Sequence, residues 1–170
     1  WEDEQLSTST FTANNQRSSN VLQFFENGVW ENFLRDTMEF DVNGYLIKST
    51  INSWDSAGGK WDTLNRLVYT YNSAGVYTEY INEQWDPSRS SWRNSIRNLR
   101  SINSNNTVDL STFFRWEDGF WIEDSRNQLI YDNDGFLVYR LFQIRDRINS
   151  DWNDISQDSL SNYDDGRLDI

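Results

Sequence analysis

The sequence predicts an all-β protein, an antiparallel β-meander of about 11–12 strands built from two-strand repeats of about 31 residues. Three observations predict it. The Trp residues recur at a regular spacing, Gly or Asn recurs at one position between them, and no segment sustains the 3.6-residue period of a helix. We predict a single array over residues 1–170, with a truncated last repeat, and with repeats that start at Trp1, Trp30, Trp61, Trp92, Trp121 and Trp152.

The Trp spacing defines the repeat. Successive starting Trp are 29, 31, 31, 29 and 31 residues apart. With each starting Trp taken as repeat position 0, all nine Trp of the chain lie at position 0 or at position 24. Position 24 is occupied in turn by Phe25, Trp54, Trp85, Trp116 and Arg145.

Repeat position 14 predicts the first turn of each repeat. It holds only Gly or Asn, the two residues that enter the left-handed region most readily. The preceding residues, such as 41–43, suit a type I turn, so we expect a three-residue hairpin loop closed by a left-handed residue. Position 10 then pairs with position 16, as Phe40 would with Leu46. The position-14 residues are Asn15, Gly44, Gly75, Asn106, Gly135 and Gly166.

The second turn lies between position 24 and the next starting Trp. Its loops are four or six residues long and rich in Asp, Gly, Ser and Asn, and the single Pro, Pro87, falls in one of them. We expect the flanking Trp to form cross-strand pairs at the base of each hairpin. The expected pairs are Trp54 with Trp61, Trp85 with Trp92, and Trp116 with Trp121.

The alternation along the strands predicts the faces of the sheet. Even repeat positions are more often apolar than odd ones, so we expect the even face to be the core side. It would have a Trp row at one rim and a Tyr/Phe row at the other. Apolar residues such as Phe33 and Leu64 also fall on the odd face. A sheet this wide is expected to curl, either as an open spiral or as a barrel-like shell.

One turn carries a familiar motif. Residues 131–137 read Tyr-Asp-Asn-Asp-Gly-Phe-Leu, which has the form Tyr-Asp-x-x-Gly-x-Leu, and 40–46 and 163–168 are variants of it. The chain resembles the tyrosine–aspartate (YD, or RHS-like) repeats of secreted bacterial proteins, and most closely the Trp-containing arrays of Bacteroidetes. Its repeat is longer than the usual spacing of those repeats. The resemblance implies a secreted or outer-surface β-array, and it brings no catalytic residues.

Composition excludes several functions. The net charge of −12 and the pI near 4.3 disfavour nucleic acid and anionic membranes as partners. The chain has no Cys or His, which excludes disulfides, thiolate catalysis, Cys-ligated zinc and the commonest general base. No apolar run is long enough for membrane insertion. We predict no cofactor and no metal, and we interpret residues 132–135 as an ordinary turn rather than a calcium loop.

Two sets of residues are candidate binding groups. Repeat position 5 forms a column that we place mid-strand on the odd face: Arg35, Arg66, Arg97 and Arg126. This column could grip an acidic or sulfated polymer, or it could be a structural ladder stacked on aromatics and paired with carboxylates. The Trp rows could bind sugar rings, or they could only clasp the hairpins.

The function that we expect is non-catalytic. The 27 carboxylates lie mostly in turns, and no pair of them departs from the repeat as a catalytic pair would. We expect a secreted or cell-surface repeat module that acts as a spacer or adhesion scaffold. The alternative is a carbohydrate-binding β-array that uses the Trp rows and the turn carboxylates. A polysaccharide or another surface protein is the expected partner, and an exposed edge strand could pair with another copy.

Overall fold

The computed structural model describes residues 4–162, 168 and 169, with side chains described over 4–160. The predicted repeat start at Trp1 and the turn glycine Gly166 lie outside the described residues. Every regular element among the described residues is a strand, and this part of the chain contains no helix that could cross a membrane. The strands are β1 Gln5–Phe11, β2 Arg17–Glu26, β3 Val29–Phe40, β4 Leu46–Asp55, β5 Lys60–Tyr71, β6 Tyr77–Asp86, β7 Ser91–Ile102, β8 Val108–Glu117, β9 Phe120–Tyr131, β10 Leu137–Arg145, β11 Trp152–Ser159, β12 Ser161–Asn162 and β13 Leu168–Asp169.

Strands β1 to β11 form one sheet in chain order, in which pairs such as β1 with β2, β2 with β3 and β3 with β4 are antiparallel. The predicted all-β antiparallel meander is therefore confirmed. Within the described strands, β1 and β11 lie at the two ends of this order, so the sheet is open and is not closed into a barrel. The short strands β12 and β13 pair with each other in a separate sheet.

The chain divides into two compact units. The first unit comprises the residues up to Thr70 together with Ile81–Ser95, and the second comprises Tyr71–Tyr80 together with the residues from Ile96 onward.

The first turn of each described repeat adopts the predicted conformation. Its position-14 residue has a positive φ, from 59° at Asn15 to 86° at Gly135. The turn is locked by a side chain, because the Oδ1 atom of Asp41 accepts hydrogen bonds from the N–H groups of Asn43 at 2.9 Å and Tyr45 at 2.8 Å. The expected pair across the strands, Phe40 opposite Leu46, is also present.

The second turns are tighter than the sequence indicates. The strands run up to Glu26 and resume at Val29, so the loop is Asn27–Gly28, with φ values of 52° and 84°. Two successive residues with positive φ are typical of the type I′ hairpin, which matches the natural twist of paired strands. Asp118 and Gly119 repeat this geometry, with φ values of 50° and 88°.

A β-bulge recurs at repeat position 3. Ile51 is opposite Asn65 while Asn52 is opposite Thr63, which leaves Leu64 as an extra residue. An extra residue shifts the alternation of side chains by one, so the even positions of a strand do not stay on one face. The two expected rim rows consequently lie on opposite faces, and the expectation of an even core face is wrong. The extra residues are Phe33, Leu64, Asp124 and Ile155.

The buried side chains of the sheet are mostly polar. Among the described residues, Leu141, at 9% exposure, is the one apolar side chain that is buried. Asn98 is only 1% exposed, and it donates hydrogen bonds to the Ser111 hydroxyl at 2.8 Å and to the Thr112 carbonyl at 3.3 Å. The fold therefore depends mainly on strand pairing and on side-chain contacts between neighbouring strands.

Candidate functional site

The predicted Trp pairs are present. Trp54 and Trp61 are directly opposite each other in β4 and β5, and their ring centroids are 5.1 Å apart at an interplanar angle of 65°. This edge-to-face arrangement is one that aromatic rings favour. The other two pairs have the same geometry, at 5.2 Å for Trp85 and Trp92 and at 5.0 Å for Trp116 and Trp121. All six indoles are half-buried.

The Arg column lies on the same face as the Trp rows. The guanidinium of Arg66 lies 4.2 Å from the ring centroid of Trp92, and that of Arg35 lies 4.8 Å from the centroid of Trp61. In the second unit, Arg126 lies 4.1 Å from the centroid of Trp152. The prediction that these Arg occupy the face opposite the Trp is wrong. The bulge at position 3 lies between positions 0 and 5, and it moves position 5 to the Trp face.

Three of the four column guanidiniums also have a polar acceptor. Arg66 Nε donates to Glu83 at 2.6 Å, Arg97 Nε donates to Glu79 at 2.5 Å, and Arg126 Nε donates to the Gln143 side-chain oxygen at 2.7 Å. Such charge-assisted hydrogen bonds are stronger than neutral ones. The Nε atom of Arg35 is buried without a hydrogen-bond partner, and its guanidinium lies over the ring of Trp61.

The acceptors of these Arg were not predicted from the sequence. Glu83 and Gln143 both occupy repeat position 22, and Gln143 is directly opposite Arg126 in the sheet. Position 22 is polar in most repeats, and this pattern could have predicted Glu83 and Gln143 as acceptors. Position 22 is not polar in every repeat. In one repeat it is Phe114, which is opposite Arg97 and whose ring centroid lies 5.6 Å from the Arg97 guanidinium. Arg97 uses Glu79 instead.

The turn carboxylates are engaged by their own loops. Hydrogen bonds from the Ser88 hydroxyl, first of all, and from nearby N–H groups lower the pKa of Asp86. N–H groups of Ile148 and Asn149 lower the pKa of Asp146 in the same way. Across the described residues, no group of three or more acidic side chains is arranged to hold a metal ion. These carboxylates serve the loops as hydrogen-bond acceptors.

The second unit contains the one departure from the Trp clasp pattern among the described repeats. Arg145 occupies position 24, where Phe25 or Trp stands elsewhere, and it forms an ion pair with Glu123. Together with Trp121 and Arg147, these residues line a shallow hollow beside the loop after β10. The positive charges of the hollow are balanced, since Arg147 also lies 3.6 Å from Asp124. The hollow therefore does not form a cationic pocket.

The comparisons with known proteins give a family without an assigned function. Residues 2–105 match a family described as a family of unknown function, DUF3836. No curated protein matches the chain. The resemblance to YD or RHS-like repeats is therefore wrong. The shared turn motif has a physical origin, because any type I turn closed by a left-handed residue favours Asp or Asn at its start and Gly near its end.

Several solved structures resemble the chain, including three from Bacteroides and Parabacteroides species. A protein of unknown function from Bacteroides fragilis NCTC 9343 is 15% identical, with a TM-score of 0.62 over 74% of this chain and 91% of that one. A DUF3836 protein from Bacteroides vulgatus ATCC 8482 is 16% identical (TM-score 0.46, 54% and 91% covered), and one from Parabacteroides distasonis ATCC 8503 is 19% identical (TM-score 0.45, 53% and 85% covered). At 15% identity, the likeness to the Bacteroides fragilis protein is one of fold. Because the family match spans more than half of its sequence, the chain belongs to the DUF3836 family.

Proposed function

We propose that this protein is a non-catalytic repeat module of the bacterial cell surface or of the secreted fraction, where it serves as a spacer or adhesion scaffold. The observation that supports this proposal is that its best binding groups are already bound to one another. Arg66 is hydrogen-bonded to Glu83 and also stacked on Trp92. A guanidinium that is held on both sides has few hydrogen-bond donors left for a ligand. It instead connects three strands of a sheet in which Leu141 is the one buried apolar side chain among the described residues.

The repeating geometry fits a structural role. A catalytic site concentrates groups of perturbed pKa in a cleft, whereas among the described residues the carboxyls with lowered pKa, Asp86 and Asp146, lie beside separate turns and accept hydrogen bonds from their own loops. The contacts of the Arg column recur instead from repeat to repeat. Contacts that recur at regular intervals along a chain stabilise it along its whole length, which is what a spacer requires.

The alternative is a carbohydrate-binding array, and one observation favours it. The Trp rings keep part of their surface exposed, and Trp30 reaches 40% exposure on a face that also carries Asn32 and Thr63. A partly exposed indole flanked by polar side chains is the arrangement on which sugar rings stack.

A fluorescence titration separates the two proposals. The protein is titrated with a panel of neutral, acidic and sulfated polysaccharides while its Trp emission is recorded, and a glycan array is probed in parallel. The scaffold proposal expects no saturable change with any polysaccharide. A saturable change that disappears in Trp30→Ala, while the far-UV circular dichroism stays that of the parent, would refute the scaffold proposal and establish the alternative.

A further inference from the structure

The chain contains Asn followed by Gly at two places, residues 27–28 and 43–44, and each pair lies in a hairpin turn of the first unit. In such a pair the backbone nitrogen of Gly can attack the side-chain amide of Asn, because Gly has no Cβ that would hinder the approach. The attack needs a local opening of the turn, since the nitrogen must rotate towards the side chain. The contacts that hold each turn therefore determine how readily its Asn reacts.

The turn at 43–44 is held by several hydrogen bonds. The N–H of Gly44 donates to the Asp41 carbonyl at 3.1 Å, and the N–H of Asn43 donates to the Asp41 Oδ1 atom at 2.9 Å. The Gln16 side chain donates to the Gly44 carbonyl at 2.7 Å. The nitrogen that would attack is thus engaged in a hydrogen bond, and the groups on both sides of it are fixed.

The turn at 27–28 has none of these restraints. Asn27 and Gly28 are exposed, with φ values of 52° and 84°. Within the described part of the chain, neither the Asn27 side chain nor the Gly28 N–H forms a hydrogen bond. Nothing lies within 4 Å of the point that a Cβ of Gly28 would occupy, so the turn has room to rotate. Because fewer bonds must break, this turn opens more often than the one at 43–44.

We propose that Asn27 is a site of spontaneous deamidation, in which its side-chain amide is converted into a carboxylate. The Gly28 nitrogen gives up its proton and bonds to the side-chain carbonyl carbon of Asn27. The bond from that carbon to the amide nitrogen breaks, and ammonia leaves with the released proton. One water molecule then opens the resulting five-membered succinimide ring. Cleavage at the side-chain carbonyl gives Asp, whereas cleavage at the main-chain carbonyl gives isoaspartate.

The second unit shows which product the turn can accommodate. Asp118 and Gly119 form the equivalent two-residue turn, with φ values of 50° and 88°. The Asp product therefore keeps the hairpin, and it adds one negative charge beside Glu26 to a chain whose net charge is already −12. Isoaspartate adds one atom to the main chain, which a two-residue turn of this type does not accommodate. We expect isoaspartate to loosen the adjacent contact between Phe25 and Trp30, whose ring centroids are 5.2 Å apart.

Peptide mapping of the aged, folded protein tests the proposal. The chain is incubated in mildly alkaline buffer and digested with chymotrypsin, which cleaves after aromatic residues and separates the two sites into peptides 26–30 and 41–45. Mass spectrometry then follows the gain in mass as the amide NH2 is replaced by OH. Asn27 should react at least about tenfold faster than Asn43, because each hydrogen bond at 43–44 adds to the free energy of opening. In urea, where neither turn is held, the two rates should be similar.

Two variants test the reason for the difference. Asp41→Ala removes the side-chain acceptor of the turn at 43–44, so Asn43 should react faster than in the parent. Asp118→Asn places an Asn-Gly pair in a turn with the geometry of 27–28, so the introduced amide should react about as fast as Asn27. Far-UV circular dichroism checks that both variants stay folded. Three outcomes would overturn the proposal: equal rates at Asn27 and Asn43 in the folded chain, an introduced amide that stays intact, or an Asn27 that reacts only in urea.

Discussion

Replacing Arg66 by Ala should destabilise the protein far more than replacing an Arg whose own side chain is exposed. Arg66 and Glu83 are joined by a hydrogen bond of 2.6 Å, with side chains that are 26% and 16% exposed. The guanidinium also lies 4.2 Å from the centroid of Trp92. The substitution removes both contacts and leaves Glu83 as a mostly buried carboxylate without its cation.

The size of the effect follows from these two contacts. A hydrogen bond that involves charged groups contributes about 1.5–3 kcal/mol, and a cation–π contact contributes about 0.5–1 kcal/mol. We therefore expect Arg66→Ala to lower the free energy of unfolding by about 2–3 kcal/mol, after allowing for the part of the pair that water screens. Arg89→Ala removes the same charge from a loop, where the Arg side chain is 74% exposed and lies 3.7 Å from Asp86. The Asp86 side chain is 16% exposed, as Glu83 is, but it keeps its hydrogen bonds from the Ser88 hydroxyl and N–H when Arg89 is lost. We expect this control to lose about 0.5 kcal/mol or less.

Urea unfolding followed by far-UV circular dichroism measures the difference. Glu83→Gln and the double variant complete a mutant cycle, in which the coupling between Arg66 and Glu83 should be about 1–2 kcal/mol. The reasoning is refuted if Arg66→Ala and Arg89→Ala differ by less than about 0.5 kcal/mol, or if the cycle gives no coupling. In either case the Arg column would be free for another role, and the main support for the scaffold proposal would be lost.

Two further predictions concern the turns. Gly135 has a φ of 86° and nothing within 4 Å of the site of a Cβ, so Gly135→Ala should lower the unfolding free energy through backbone strain alone, by about 1 kcal/mol; Gly135→Asn should cost less in the same urea experiment, because Asn106 holds φ 60° at the equivalent position. Hydrogen bonding lowers the pKa of Asp146 from the usual 3.8, so its contribution to stability is complete above that value and is lost as the pH falls through the lower, folded-state pKa. The melting temperature of Asp146→Asn should therefore fall less steeply on acidification than that of the parent, and parallel curves would contradict this.

Much of the fold could be predicted from the sequence because the turns and the Trp pairs depend on residues that are close together in the chain. The left-handed residue at repeat position 14 accepts only Gly or Asn, so Gly44 and Asn106 identify the turn by their type. The clasp between Trp54 and Trp61 is also local, because a short loop brings the two indoles to opposite positions. Constraints of this kind restrict the residue type at single positions, so they can be recognised in the sequence.

The bulge at repeat position 3 does not restrict the residue type in this way. Its extra residues include Phe33, Leu64 and Asp124, which share neither size nor polarity, and none of these three has a positive φ that would require Gly. The assignment of faces beyond the bulge could therefore not be made from alternation, and the Arg column was placed on the wrong side. One feature of the sequence did indicate that the alternation is interrupted, because apolar residues fell on both of the predicted faces.

The bulge also explains why Trp and Arg can stabilise the sheet together. With strict alternation, positions 0 and 5 of a strand would point to opposite faces, and Arg35 could not reach Trp61. One extra residue places both on the same face and lets three of the four guanidiniums lie over the indole of the next repeat, 4.8 Å from the ring centroid for Arg35 and 4.1 Å for Arg126. Arg97 lies against Phe114 instead. Leu141 is the one buried apolar side chain in the described part of the chain. Such contacts between neighbouring strands therefore provide stabilisation that a hydrophobic core provides in other folds. A sheet stabilised in this way needs no second layer, since each repeat is held by the contacts that it makes with its neighbours.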